Sequence, residues 1–205
     1  MNEIKIYYSL TENIDQSDLE KALTLIPDWR REAVLKNKGT ADRINGAFAY
    51  LLLQKLTETE FGLTDRFPFL YGEKGKPFFT QIPLYFSISH SRCAVGAAVS
   101  KSETGLDITD DRSVRNELAS RICSSRELNA FNRSKDKRRF LRQLWCKKES
   151  LVKRTGEGFS HGFTDIDTAN GLFFVYDTEK YCIAVNWESG ERCAEIKEID
   201  YSALL

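Results

Sequence analysis

Trp145-Cys146-Lys147-Lys148-Glu149-Ser150-Leu151-Val152-Lys153 is the stretch from which the rest of the chain can be read. With Leu141 it carries a helical period: Leu141, Trp145, Glu149 and Val152 share one face, so residues 136–153 read as a helix. That face is apolar except for Glu149. A lone carboxylate in an apolar stripe is costly to bury, so the position calls for a cation. Two are open to it: the ammonium of Lys153 one turn on, as a simple i to i+4 ion pair, or a metal ion.

Outward from this helix the chain alternates strands and helices. Toward the C-terminus, residues 172–176, 181–187 and 194–201 are rich in branched and aromatic side chains and read as antiparallel strands. Toward the N-terminus, Ser124 or Ser125 caps a shorter helix. Residues 85–89, 94–100 and 105–108 read as three strands, and residues 71–83, broken by Gly72, Gly75, Pro77 and Pro83, as a loop carrying Lys74 and Lys76. Thr40 caps a helix whose Ile44, Ala47, Phe48, Leu51, Leu52 and Leu56 fall on one face, ending near Gly62. Ile4, Ile6 and Tyr8 alternate with polar neighbours, which predicts a half-buried opening strand.

A second carboxylate stands in Gly105-Leu106-Asp107-Ile108-Thr109. Strand alternation turns Leu106 and Ile108 inward and presents Asp107 on the other face with Gly105 and Thr109. A glycine there leaves room for a bulky group such as a phosphate with bound magnesium, whose usual ligands are carboxylates, phosphate oxygens and water. A surface turn rich in acids (Asp107, Asp110, Asp111) is the plainer reading. Phe86-Ser87-Ile88-Ser89-His90-Ser91 offers hydroxyls and an imidazole able to bind phosphate. Arg30, Arg31, Lys36, Lys38 and Arg43 make the first half locally basic, which suits a polyanion or simply a solvated face. His161 is given no role.

Bulk properties narrow the field. At 205 residues the chain can bury a real core, and its 30 basic and 30 acidic side chains cancel, giving no global attraction to nucleic acid or membrane. The five cysteines are an odd number without a Cys-x-x-Cys pair, so they read as reduced thiols. No stretch approaches the roughly 18 apolar residues of a membrane span, and the N-terminus has no leader pattern, so the protein reads as cytoplasmic.

Taken in order, the segments resemble the Sfp-type 4'-phosphopantetheinyl transferases. They are Gly75-Lys76-Pro77, Ser89-His90-Ser91, Gly105-Leu106-Asp107-Ile108-Thr109, and Trp145-Cys146-Lys147-Lys148-Glu149-Ser150-Leu151-Val152-Lys153. The resemblance implies an α+β fold of two similar α/β-type halves, 1–101 and 102–205, related by a pseudo-twofold with the active site in the cleft between them. It implies transfer of the 4'-phosphopantetheine group from coenzyme A to a serine of an apo acyl or peptidyl carrier protein. Arg43, Lys76, Ser89 and His90 match positions that hold the nucleotide, and Asp107 and Glu149 match magnesium ligands; the mechanism expected from these residues has Glu149 taking the serine proton, Asp107 and Glu149 placing the ion and Lys153 neutralising or protonating the departing 3',5'-ADP. Residues 123–133 match the carrier-docking region. Thr109 stands where the family usually has a second acid, which leaves three arrangements: the Thr109 hydroxyl holding the ion through water, Asp110 or Asp111 bending inward, or, the favoured one, the ion on Asp107, Glu149, the diphosphate and water alone. Two joined halves building one cleft imply a monomer. The alternative is a degenerate member that binds coenzyme A or a carrier without catalysis.

Overall fold

Ile4, Ile6 and Tyr8 do share one side of the first strand, β1 (Asn2–Leu10), but Tyr7 on the opposite side is just as buried, at 2% exposure. The strand is therefore covered on both faces and not half-buried. Tyr7 hides its ring in the core while its hydroxyl reaches Glu60 Oε1 at 2.7 Å, so a residue counted as polar in the alternation packs as an apolar one.

The structure, a computed structural model, describes residues 2–158, 162–188 and 191–205. After β1 come helices α1 (Gln16–Leu25), α2 (Asp28–Leu35) and α3 (Thr40–Phe61), a short hairpin of β2 (Phe69–Tyr71) and β3 (Pro77–Phe79), and strands β4 (Tyr85–His90) and β5 (Ala94–Ser100). The second half runs β6 (Thr104–Asp110), α4 (Ala119–Ile122), α5 (Ser125–Arg133), α6 (Lys137–Thr155), β7 (Leu172–Asp177), β8 (Tyr181–Trp187) and β9 (Glu191–Glu198). Thr40 is the first helical residue and Gly39 the cap; Gly62, at φ 68°, ends α3. Ser124 caps α5 in a reciprocal box with Glu127, and Asp136 caps α6.

The two halves repeat one topology. β1 pairs antiparallel with β5, which pairs with β4; β6 pairs antiparallel with β8, which pairs with β7. In each half a helical stretch ending in the longest helix separates the first strand from the terminal hairpin. This is the α+β architecture of two similar halves. β9 departs from the antiparallel reading: it leaves β7 and β8 and pairs parallel with β1 of the first sheet. The segment read as a loop over residues 71–83 carries β3, which pairs antiparallel with β2 so that Leu70 faces Phe78.

Four layers result. Val95, Ala97 and Val99 of β5 join α3, while Ala98 of the same strand faces Leu106, Ile108, Ile183 and Val185 of the second sheet. Gly96 marks the closest approach, since a Cβ there would lie 2.8 Å from Ile108 Cδ1. The outer face of the second sheet, with Cys182 and Ala184, receives Cys146 of α6. Cys93, Cys123, Cys146 and Cys182 are free and buried. Among the described residues no helix is long and apolar enough to cross a membrane.

Candidate active site

A cleft of about 620 Å³ opens where α3 and β4 of the first half meet the last turns of α6. Asn45, Lys76, Ser89 and His90 line one wall; Glu149, Val152 and Lys153 line the other.

Serine side chains join the two sheets beneath it. The edge strands β4 and β6 share no backbone ladder; instead Ser87 Oγ accepts the Leu106 amide at 2.9 Å and Ser89 Oγ accepts the Ile108 amide at 3.1 Å. Ser89 also donates to Asp107 Oδ1 at 3.1 Å and accepts from Lys153 Nζ at 2.7 Å. Its hydroxyl is thus fully engaged within the protein.

Asp107, 6% exposed, is the hub of this cluster. Lys153 Nζ lies 2.7 Å from Oδ1 and Thr109 Oγ1 donates to Oδ2 at 2.6 Å. Burial alone would raise its pKa, but the Lys153 charge and the three donors outweigh that and hold the carboxyl below the usual range. The acid-rich surface turn is thereby set aside. Lys153 is not the i to i+4 partner of Glu149: the buried Asp107 holds its ammonium instead.

Glu149 is left half-buried on the cleft wall, with no hydrogen bond or ion pair to any described residue. Burial, then the Asp107 charge, push its carboxyl up to about 7 against the pull of Lys153. Among the described residues no cluster of three His, Cys, Asp or Glu side chains gathers. Asp110 is occupied by Arg92, at 2.8 Å, and Asp111 by Arg138 and Arg142, at 2.7 and 3.2 Å, so neither turns toward Asp107.

Gly105 does not leave room for a ligand. A Cβ there would meet Ser150 O at 2.0 Å and Arg154 N at 2.4 Å, so the group approaching its backbone is helix α6 itself. The face that carries Asp107 and Thr109 packs on α6, and this packing brings Lys153 to Asp107.

The other expected residues divide. His90 ends β4 at the surface with Nδ1 3.4 Å from Asn45 Nδ2. Partial burial and the Lys153 charge lower its pKa. Lys76 donates to the Arg154 carbonyl at the end of α6 and lies 3.7 Å from Glu103, and burial draws its ammonium down. Arg43 does not line the cleft: it is half-buried, with Nε donating to Asn37 O at 2.8 Å. Arg30 lines it instead, 8% exposed, donating to Gly46 O at 2.8 Å, with its guanidinium carbon 5.6 Å from the Phe69 ring centre. His161 lies outside the described residues.

Sequence reasoning passed over two groups. Asn45 heads a second apolar stripe with Ala49 and Leu53 at spacings of four, which is the signal that α3 is buried there too. Lys148, with no exposure, pairs with Glu127 at 2.5 Å and donates to the Ile122 and Phe163 carbonyls at 2.7 and 2.8 Å. Glu127 in turn accepts the Ser124 and Thr168 amides, tying α5, α6 and the segment after α6 together. Nothing in the local sequence marks that pair, whose partners lie 21 positions apart.

The cleft between the two topologically similar halves thus holds an aspartate–lysine pair beside a glutamate with no hydrogen bond or ion pair to a described residue. The 4'-phosphopantetheinyl transferase superfamily profile matches residues 103–193. The 4'-phosphopantetheinyl transferase psf-1 of Bacillus pumilus is 33% identical over 93 residues, 44% of this chain and 40% of that protein. The 4'-phosphopantetheinyl transferase Sfp of Bacillus subtilis (strain 168) is 26% identical over 162 residues, covering 77% of this chain and 72% of that one. The match thus spans less than half of the first relative and about three quarters of the second. The crystal structure of Thermotoga maritima holo-[acyl-carrier-protein] synthase aligns at 20% identity and a TM-score of 0.36, covering 42% of this chain and 64% of that one. Over residues 103–193 the chain is similar to the 4'-phosphopantetheinyl transferase superfamily.

Proposed function

We propose that this protein binds coenzyme A in the cleft and transfers its 4'-phosphopantetheine group to a serine hydroxyl of an apo acyl or peptidyl carrier protein, releasing 3',5'-ADP. The observation that carries the reading is Glu149: a carboxylate on the cleft wall without a counter-ion, beside the Asp107–Lys153 pair. A carboxyl poised at about 7 suits a general base. It accepts the proton of the carrier serine as that oxygen attacks the β-phosphorus; the bond from this phosphorus to the bridging oxygen breaks, and 3',5'-ADP leaves. Lys153 holds positive charge at the diphosphate, and its contact with Asp107 fixes where that charge sits. Lys76 and His90 bind nucleotide phosphates from the opposite wall.

The residues fit a magnesium ion, because the unneutralised Glu149 carboxylate lacks the cation that its raised pKa calls for. Asp107 and Glu149 would hold it with substrate oxygens and water, and it would supply further charge neutralisation at the diphosphate. The carrier docks over residues 123–133, which the Glu127–Lys148 pair anchors to α6. We assign the reaction to the cytoplasm, the compartment that suits four free thiols.

The test is to incubate the protein with apo carriers, coenzyme A and magnesium and to weigh the carriers by mass spectrometry. A gain of one phosphopantetheine is the expected result. A panel of acyl and peptidyl carriers left unmodified, with coenzyme A still bound, would favour a binder without catalysis.

A further inference from the structure

His90 reaches the cleft from the end of β4, and the protein holds only one of its ring nitrogens. Nδ1 lies 3.4 Å from Asn45 Nδ2, while Nε2 has no hydrogen bond to any described residue. Asn45, on α3 and 6% exposed, also donates from the same amide nitrogen to the Ser91 carbonyl at 3.2 Å. A carbonyl oxygen only accepts, so Ser91 decides which end of the Asn45 amide points this way: the NH2 group, with its second N–H left for His90. Ser91 is itself fixed, its amide donating to Ala94 O at 2.8 Å across the turn between β4 and β5. Facing a donor, Nδ1 must accept, and the ring proton is then carried on Nε2.

The surroundings favour this neutral form. Burial, then the Lys153 ammonium on α6, disfavour an imidazolium and outweigh Asp42 on α3 and Asp107 on β6, so the His90 pKa is lowered. Arg30, Lys76 and Lys153 already bring positive charge to the cleft. What a neutral Nε2–H adds is a short donor with a fixed direction.

Resting on the transferase reading, we infer that Asn45 is a positioning residue: it holds His90 as the neutral tautomer that presents Nε2–H to a phosphate in the nucleotide half of coenzyme A, and it does not grip the ligand itself.

Nitrogen-15 NMR of the imidazoles in the whole, ligand-free chain at about pH 8 reads the tautomer directly. His90→Ala identifies the signal, because His161 is the only other histidine. The wild type should carry its proton on Nε2, and a proton on Nδ1 would overturn the inference. Asn45→Asp should move the proton to Nδ1, since a carboxylate only accepts; a wild-type pattern in that variant would overturn it too. Calorimetry with 3',5'-ADP separates positioning from direct contact. Asn45→Ala should weaken binding about fivefold, the worth of one hydrogen bond. In the double variant with His90→Ala, binding should stay within about twofold of His90→Ala alone. Additive losses would show that Asn45 grips the nucleotide itself, against the inference. Wild-type binding of 3',5'-ADP with Nδ1 protonated would sink this inference alone, whereas no binding at all would remove the parent reading and the role of His90 with it.

Discussion

Replacing Gly105 by alanine separates two roles for the glycine beside Asp107. The added Cβ would sit 2.0 Å from Ser150 O, 2.4 Å from Arg154 N and 2.9 Å from Arg154 Cα. All three are backbone atoms of α6, so no side chain can swing aside. Non-bonded heavy atoms settle at about 3.5 Å, so strand and helix must part by more than about 1 Å. Overpacking of a rigid contact costs about 3 kcal/mol or more. For a chain of this size that lowers Tm by about 6–12 °C. Because α6 also carries Glu149 and Lys153, transfer falls too, so thermal unfolding without ligand is the assay that discriminates. An unchanged Tm with coenzyme A binding abolished would refute the packing role and restore glycine as the space into which a phosphate comes.

Lys148→Met strands the Glu127 carboxylate in a buried site and should cost about 3–5 kcal/mol, with part recovered in the Glu127→Gln double variant; thermal unfolding of the four proteins measures the coupling. Additive losses would contradict a shared network. Glu149 takes up protons more readily folded than unfolded, since its pKa is raised to about 7, so folding stability falls as pH rises from the ordinary carboxylate range through about 7. Glu149→Gln should therefore raise Tm near about pH 8 and leave it unchanged near about pH 4, whereas equal Tm curves would rule out an uncompensated carboxylate. With magnesium limiting, transfer should fall as pH drops through about 7, because the base becomes protonated; a rate flat across that range would exclude Glu149 as the base.

Local pattern carried much of the fold. The period of Leu141, Trp145 and Val152 revealed α6, and the alternation in residues 105–109 put Asp107 on the correct face, because both depend on neighbours a few positions away. What failed was long-range. The i to i+4 spacing makes Glu149 the obvious partner of Lys153, yet burial of Asp107 from a distant strand gives that carboxylate the stronger claim on the ammonium. Gly105 suggested an open space because a sequence does not show that a helix fills it. β9 had the composition of a third antiparallel strand, and only the free edge of β1 explains its parallel pairing. Arg30 sat among solvated basic residues in the sequence, but the aromatic rings of Tyr50 and Phe69 bury it at the cleft.

Single-turnover transfer by Glu149→Gln, with coenzyme A binding measured in parallel at saturating magnesium, bears most directly on how this cleft works. Transfer to the carrier should fall by at least about a hundredfold while the Kd for coenzyme A stays within about threefold of wild type. A variant that loads the carrier at the wild-type rate would show that the unpaired carboxylate on α6 takes no part in the reaction.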